Sequence, residues 1–260
     1  MDQVEIYVMS AGYEAHQDYR WRVVREDELA EAGDALDALE ALQRQVDSHK
    51  NVTAILERVD DGLRLLISGI HTARTDWISR PITVDLALFG PSDPAVERVL
   101  RGTLASMLAD PAAFAEAIGR LAAFDESNIG WAVKGPDFAQ WIETQADLAA
   151  TDASPADSAG QMAPYDTENA QKLAHELRAH QIPTRTGVLV IAADYHDADS
   201  LVRLQVWRGL STIIGTPGPI VLPEADNDRT NSSGKYRRTL IAVAVVGIAA
   251  IGVILLLKLT

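Results

Sequence analysis

Apolar and polar residues alternate in several short segments of the first ninety residues, which predicts β-strands there. Two such segments lie at residues 4–9 and 19–24, and three more lie at 53–59, 63–71 and 82–89. Asp61 and Gly62 separate the first two of these three, and an Asp-Gly pair between apolar runs is a strong hairpin signal. The pattern therefore predicts an antiparallel meander that follows two N-terminal strands.

Apolar residues recur at helical spacing between and after these strands. Helices are predicted at 26–48, 92–108, 111–124, 137–149, 167–180 and 200–210, and a strand buried on both faces is predicted at 187–192. Ser92 and Asp110 are the expected caps of the second and third helices. This order of elements predicts an α/β or α+β fold, in which a mixed β-sheet is covered by helices.

Composition divides the chain into five parts. Residues 1–150 are expected to form an N-terminal α+β part, 151–164 a flexible loop or linker, 165–222 a helix–strand–helix part of the same or a second α/β domain, 223–238 a polar and then basic linker, and 239–259 a transmembrane helix. The soluble part is long enough to bury a sizeable core.

The end of the chain has the pattern of a membrane-spanning helix. Leu240 to Leu257 is a run of eighteen apolar residues without a charge or a proline. At 1.5 Å per residue this run is about 27 Å long, close to the thickness of the hydrocarbon core. Its small residues include Gly247 and Gly252 but form no Gly-x-x-x-Gly pair, so a homo-oligomer stays an open alternative.

The flanks of this run predict its orientation. Three cations and an aromatic residue precede it, namely Lys235, Tyr236, Arg237 and Arg238, whereas a single lysine follows it. The positive-inside rule then predicts a tail-anchored, single-pass protein that contacts lipid through residues 239–259 and keeps its N-terminal domain in the cytoplasm. Because 18 of the 23 basic residues are arginine, the composition is typical of a GC-rich bacterial genome, and the expected bilayer is the inner membrane.

Charge and cysteine content exclude several classes of function. Residues 223–260 hold five basic and three acidic residues, which leaves 18 basic and 34 acidic residues, a net charge of −16, in residues 1–222. A domain of this sign repels nucleic acid, so the expected partner is a cytoplasmic protein. Since the chain has no cysteine, it has no disulfide, no thiolate nucleophile and no cysteine-ligated metal.

Three polar segments that follow predicted strands hold the candidates for chemistry. His16 and Asp18 follow the first strand. The other candidates are His71, Arg74 and Asp76, after the meander's second strand, and Asp194 and His196, after the strand at 187–192. Ligands bind at strand ends in α/β sheets, and histidines beside carboxylates are suited to acid–base or hydrolytic chemistry.

A structural interpretation of the same residues is equally simple. Asp199 could cap the helix that follows it, while Arg74, Asp76 and Arg80 could pair across a turn. His175 and His180 are five residues apart rather than four, which breaks the facing pair of a zinc-protease helix. No phosphate-binding loop, dinucleotide fingerprint or serine-hydrolase motif is present, so no cofactor and no metal are predicted.

These observations favour a noncatalytic adaptor or regulator that is held at a membrane and binds protein. A soluble domain on a single C-terminal anchor is similar in layout to membrane-tethered bacterial regulators and to effectors of antiviral defence systems, so a membrane-damaging effector is the first alternative. A membrane-tethered hydrolase that uses the His/Asp loops is the second. The tryptophans, Trp21, Trp77, Trp131, Trp141 and Trp207, are expected in the core.

Overall fold

A computed structural model describes residues 3–13, 19–24, 29–46, 51–60, 62–125 and 130–220. The chain divides into two compact units, Met1–Leu222 and Pro223–Thr260. The predicted linker at 223–238 and the predicted membrane helix at 239–259 lie outside the described residues, as do His16 and Asp18. Within the described ranges, no helix is both long enough and apolar enough to cross a bilayer.

The described residues form fourteen strands, most of which belong to one large sheet. The strands are β1 (Glu5–Ser10), β2 (Arg20–Val24), β3 (Leu29–Glu31), β4 (Thr53–Val59), β5 (Gly62–Thr75), β6 (Pro81–Pro91), β7 (Ala122–Phe124), β8 (Trp131–Val133), β9 (Ser154–Pro155), β10 (Gly160–Pro164), β11 (His180–Gln181), β12 (Gly187–Ala193), β13 (Arg208–Ser211) and β14 (Gly218–Ile220). The large sheet has ten strands in the order β14-β10-β13-β12-β4-β5-β6-β1-β2-β3.

Strand direction divides this sheet into two parts. β10, β13 and β12 are parallel neighbours. Every other neighbouring pair in the sheet is antiparallel. β12 lies where the two parts meet, parallel to β13 and antiparallel to β4. Its residues from Val188 to Ala193 are buried without alternation, as expected for a strand covered on both faces.

Helices cover both faces of the sheet, which confirms the predicted mixed sheet covered by helices. They are α1 (Leu36–Gln43), α2 (Pro94–Ala109), α3 (Pro111–Leu121), α4 (Gly135–Ala146), α5 (Thr167–Ala179) and α6 (Ala198–Arg203). Buried residues of α2 to α5 belong to one hydrophobic cluster. Leu39 and Leu42 of α1 and Leu201 of α6 belong to a second cluster, with sheet residues such as Tyr7 and Ile55.

The connections of the parallel strands explain why α5 and α6 lie on opposite faces. The chain runs from β10 through α5 to β12 and then returns through α6 to β13, which lies between them. Because the two crossovers progress in opposite directions along the sheet, right-handed connections place their helices on different faces. Residues 160–220 therefore complete the same sheet that residues 5–91 begin.

The caps of the helices follow the sequence closely. Asp110 accepts a hydrogen bond from the Ala113 amide at 3.0 Å, as predicted. The prediction of Ser92 as the cap of α2 is wrong by one residue, because the carboxylate of Asp93 accepts the Ala95 amide at 2.8 Å. Pro94 then occupies the first turn of α2, where the backbone N–H that proline lacks would have no acceptor within the helix.

The predicted helix at 26–48 is much shorter in the structure. Residues 29–31 form β3, which pairs with β2 and places Leu29 opposite Val24. Gly33 has a φ of +52°, a backbone angle that an α-helix does not contain. The helical spacing of the apolar residues therefore continues across a break that the spacing alone does not reveal, and α1 begins at Leu36.

Two further predictions are corrected in the last third of the chain. Residues 151–164 are not a structureless loop, since they include β9 and also β10, an inner strand of the large sheet. The helix predicted at 200–210 ends as α6 at Arg203, and Gln205 has a φ of +52°. β13 follows, where a Cβ on Gly209 would lie 2.7 Å from a methyl carbon of Leu201.

Two helical glycines give a matched test of this packing. In Gly102→Ala the new Cβ would lie 1.8 Å from the Gln145 carbonyl oxygen of α4. This overlap should force α2 and α4 apart and lower the free energy of unfolding by about 1–3 kcal/mol or more. In Gly119→Ala the nearest atom to the new Cβ would lie 3.5 Å away, in Thr72. The better helix propensity of alanine should therefore raise the free energy of unfolding by roughly 0.5 kcal/mol. Urea denaturation measures both, and equal effects would contradict the close approach of α2 and α4.

Candidate functional site

The polar segments singled out in the sequence lie at or near the C-terminal ends of strands that share one direction. β5 continues to Thr75, so His71 and Arg74 lie within this strand and not, as the sequence predicted, after it. β1, β5 and β12 run parallel to one another in the sheet, so their C-terminal ends lie at the same edge as those of β10 and β13. We call this the carboxyl edge. The candidate segments do not adjoin, because β4 separates β12 from β5 and β6 separates β5 from β1.

Arg74 is a buried structural residue of the carboxyl edge. Its guanidinium donates to the Ala11 carbonyl oxygen at 3.2 Å and to the Ser10 hydroxyl, and it lies 5.3 Å from the centre of the Phe124 ring. Burial lowers the pKa of Arg74 to about 10, so the side chain stays charged at neutral pH. These contacts tie the end of β1 to β5 across β6, and they hold the guanidinium in a buried position where its Nε has no hydrogen-bond partner.

Asp76 builds the turn that joins β5 to β6. Its carboxylate accepts hydrogen bonds from the Ile78 amide at 3.0 Å, the Arg80 amide at 2.8 Å and the Arg80 guanidinium at 2.7 Å. Partial desolvation opposes ionisation, but these bonds outweigh it and lower the pKa of Asp76. Asp76 and Arg80 pair across the turn as the structural interpretation predicted, whereas Arg74 bonds elsewhere. We call residues 76–80 the hairpin tip.

The hairpin tip presents two large apolar side chains to solvent. Trp77 is 55% exposed and Ile78 is 48% exposed, so Trp77 is not the core residue that the sequence predicts. The Trp77 amide donates to the Tyr13 carbonyl oxygen at 3.1 Å, and Tyr13 is itself 41% exposed. Trp21 and Trp207 are buried as predicted, whereas Trp131 and Trp141 are half-buried.

Asp194 and His196 bond to the chain that precedes β4. The Asp194 carboxylate accepts from the Asn51 amide at 3.2 Å and from the Asn51 side-chain nitrogen at 2.5 Å. His196 Nε2 donates to the Gln45 carbonyl oxygen at 2.8 Å. The cap of α6 is Asp197, which accepts the Ser200 amide at 2.7 Å, and not Asp199. This loop therefore fastens the end of β12 to the segments on either side of residues 47–50.

His71 lines a cavity of about 360 Å³ at the carboxyl edge, beside the first turn of α5. The other polar residues of its lining are Asn51, Tyr165, Asp166 and Thr167. The Tyr165 hydroxyl donates to the Val52 carbonyl oxygen at 2.8 Å, and burial, with the nearby charge of Asp194, raises the pKa of Tyr165 to about 12. Asn51, which lines this cavity and bonds Asp194, is the link between His71 and the loop after β12.

The five predicted catalytic residues therefore fall into separate environments. Arg74 and Asp76 shape the β5–β6 ribbon, Asp194 and His196 anchor the loop after β12, and His71 lines the cavity. No group of three histidine or carboxylate residues within the described ranges is arranged to hold a metal ion. As far as the described residues go, these five side chains do not meet as a nucleophile with an acid–base pair and an oxyanion site, the combination that acyl or phosphoryl transfer requires.

Asp85 is a buried carboxylate that the sequence interpretation missed. It is only 4% exposed and accepts hydrogen bonds from the Ser68 hydroxyl at 2.7 Å, the Gly69 amide at 2.8 Å and the Gln43 side chain at 3.1 Å. Gly69 lies in the irregular part of β5, between Ile67 and Ile70, and has a φ of +76°. Asp85 thus fills a β-bulge and joins α1 to the sheet. Its signal in the sequence is a lone carboxylate within an apolar strand.

The outer surface formed by the end of β3, the following turn and α1 is acidic. Glu31, Asp34, Asp37 and Glu40 are all exposed, and Leu36 is exposed among them. Arg44 lies 3.6 Å from Glu40, and Arg22 of β2 is the cross-strand neighbour of Glu31. We call Glu31, Asp34, Leu36, Asp37 and Glu40 the acidic face.

Comparisons with known proteins do not assign the chain to a family. Neither the protein-family models, nor the curated protein sequences, nor the solved structures contain a match to it.

Asp85 should make stability depend on pH in a defined direction. Burial raises the pKa of Asp85, against hydrogen bonds from Gly69, Ser68 and Gln43 that lower it. Above about pH 4 the Asp85 carboxyl therefore keeps its proton in the folded protein but releases it in the unfolded chain. As a result, Asp85 lowers the free energy of unfolding as pH rises from about 4 through the folded pKa. Asp85→Asn removes this contribution. The free energy of unfolding of the variant, compared with that of the natural protein, should therefore increase as pH rises, by about 1.4 kcal/mol for each unit by which the folded pKa of Asp85 exceeds its unfolded pKa.

Chemical denaturation of both proteins between pH 4 and pH 8 measures this difference. Asp152→Asn, at an exposed aspartate, is the control and should give a curve parallel to that of the natural protein. Parallel curves for Asp85→Asn as well would mean that Asp85 titrates alike in the folded and unfolded chain.

Proposed function

We propose that the chain is a tail-anchored, noncatalytic adaptor or regulator of the bacterial inner membrane. Residues 239–259 hold it in the bilayer, and its cytoplasmic domain binds a protein through the acidic face. The observation that carries this proposal is the acidic face itself, a row of exposed carboxylates around an exposed leucine on α1.

The contacts of the catalytic candidates support a binding role over a hydrolytic one. Arg74, Asp76, Asp194 and His196 each satisfy main-chain groups that hold loops of the carboxyl edge in place. Side chains that hold main-chain groups in place are poorly placed to bind and release a substrate. A rigid edge of this kind suits a scaffold whose function is presented on its surface.

The chemistry of the acidic face indicates the kind of partner. Asp34, Asp37 and Glu40 are spaced three residues apart, so they lie in succession along one side of α1 and the turn before it. Leu36 supplies an apolar contact beside them. The matching surface is a basic one with an apolar centre, because opposite charges steer association and fix the register of an interface.

Charge reversal on the acidic face tests this proposal. The triple variant Asp34→Lys, Asp37→Lys, Glu40→Lys should recover at least about tenfold less partner from the native host than the full-length natural protein does. Each exposed ion pair contributes roughly 0.5 kcal/mol to binding, and charge reversal turns that attraction into repulsion. Recovery by the natural protein should also fall as salt rises. The measurement is quantitative mass spectrometry of the recovered proteins.

A second triple variant provides the control. Glu116→Lys, Asp152→Lys, Glu168→Lys reverses three exposed carboxylates outside the acidic face and makes the same change of net charge. It should retain the partner. Equal loss in both variants would show only an effect of net charge, and unchanged recovery in the first variant would remove the acidic face from the interface.

A further inference from the structure

The β5–β6 ribbon carries the hairpin tip beyond the strands on either side of it. β4 begins at Thr53, opposite Ser68 of β5, and β5 continues from there to Thr75. On the other side, the pairing of β1 with β6 ends at Met9, opposite Asp85. At about 3.3 Å per residue, the part of β5 that follows Ser68 places the tip roughly 20 Å past the start of β4.

Hydrogen bonds fix the geometry of this projection. The Asp76 carboxylate accepts from the Ile78 amide and from the amide and guanidinium of Arg80, and the Ser79 amide donates to the Asp76 carbonyl oxygen at 2.9 Å. Trp77 and Ile78 are therefore exposed on a turn whose backbone is already ordered. Because of this order, little conformational entropy is lost when the tip binds.

Exposed aromatic residues cluster around the tip. Among the described residues, three of the four exposed aromatic side chains lie here. Trp77 is one, Tyr13 accepts the Trp77 amide on its carbonyl oxygen at 3.1 Å, and Tyr19 accepts the Thr83 amide of β6 on its hydroxyl at 3.1 Å. Together with Ile78 they expose roughly 400 Å².

The tip itself carries no net charge, because the Arg80 guanidinium donates to the Asp76 carboxylate at 2.7 Å. Asp194 of the carboxyl edge lies farther back. It follows β12, whose Ala192 is level with Ile67, and β5 continues eight residues beyond Ile67. An apolar projection with a paired charge enters a layer of low polarity at a smaller cost than one with a free charge.

A lipid surface suits this projection better than a protein surface does. A stable interface between two proteins buries about 800 Å² on each partner, roughly twice the area that the tip and its neighbours expose. A projecting tip also needs a matching cavity in a protein, whereas the headgroup region of a bilayer adapts to it. Tryptophan and tyrosine are enriched in that region, since their rings are apolar while the N–H or O–H stays hydrated.

The sequence brings such a surface within reach of the domain. Residues 221–238, eighteen in number, separate Ile220 from the predicted membrane helix. Even fully extended, they reach no more than about 60 Å. A domain tethered at that range meets the bilayer at a high effective concentration, so a weak contact is sufficient.

We propose that the hairpin tip inserts Trp77 and Ile78 into the headgroup region of the bilayer, with Tyr13 and Tyr19 at its surface. This inference rests on the proposed attachment through residues 239–259. It adds a second contact with lipid, which restricts how the tethered domain turns above the membrane. The contact depends on the apolar tip and not on the charges of the acidic face.

Single-site labelling of the full-length protein tests the insertion, because the natural chain has no cysteine. Thr75→Cys carries a nitrobenzoxadiazole dye beside the tip and leaves Trp77 and Ile78 in place. Leu148→Cys is the control position, since Leu148 is 43% exposed and follows α4 at the opposite edge of the sheet, near the start of β1.

Each labelled protein is reconstituted in vesicles of phosphatidylethanolamine and phosphatidylcholine, with and without 5-doxyl-phosphatidylcholine as the quencher. These lipids have no net charge, so they do not repel the acidic domain. Interfacial residues lie about 5–10 Å into the headgroup and acyl boundary, so the dye at Thr75 should be quenched at least about fivefold more than the dye at Leu148.

Two double variants of the Thr75→Cys protein separate insertion of the tip from general apolar contact. Trp77→Ser with Ile78→Ser should lower the quenching to the level of the Leu148→Cys protein and leave the melting temperature unchanged, because both side chains are exposed. Tyr195→Ser with Ile213→Ser also removes an exposed aromatic residue and an exposed isoleucine, but away from the tip. It should keep the quenching.

Equal quenching at Thr75 and Leu148, or quenching that survives the two substitutions at the tip, would overturn the insertion. A dye at Thr75 that is shielded from water but not quenched would also overturn it, because protein and not lipid would then cover the tip. Flotation of the vesicles separates this inference from the one it rests on. Protein that does not float with the vesicles would overturn the attachment itself, whereas protein that floats without quenching would overturn the insertion alone.

Discussion

The antiparallel pairing of β5 with β6 runs through the middle of the large sheet, from Gly62 opposite Pro91 to Thr75 opposite Pro81. β4, β12 and the parallel strands extend the sheet on one side of this ribbon, and β1, β2 and β3 extend it on the other. Both hydrophobic clusters include its residues, such as Leu65 in one and Leu66 in the other. The ribbon also holds the bulge at Gly69 that Asp85 fills, and Asp85 binds Gln43 of α1, so the core and the helix that carries much of the acidic face depend on the same pairing.

Elements with a strong local signal could be predicted from the sequence. The β4–β5 hairpin follows from Asp61-Gly62, the cap of α3 from Asp110, and β12 from its continuous apolar run. Short strands could not be predicted in this way. β3, β10 and β13 have three to five residues each, and they exist because neighbouring strands supply their hydrogen bonds and not because of their own pattern.

The site shows the same division between local and tertiary signals. The sequence places Asp76 and Asp194 after strands, and the structure puts those strand ends at one edge of the sheet, whereas His71 lies within the longer β5. What each side chain does there depends on partners distant in sequence, such as Asn51 for Asp194 and Ser10 for Arg74. A polar residue after a strand can bind a ligand or close a loop, and only the tertiary partner distinguishes the two.

We propose that residues 239–259 hold a folded binding domain at a membrane. Fractionation of cells combined with protease accessibility tests this attachment, by comparing the full-length protein with a truncation that ends at Gly234. We expect the full-length protein to sediment with membranes and to be digested only after cell lysis, and we expect the truncated protein to be soluble and folded. If the full-length protein stays in the soluble fraction, the proposed adaptor has no attachment to the bilayer and the proposal is wrong.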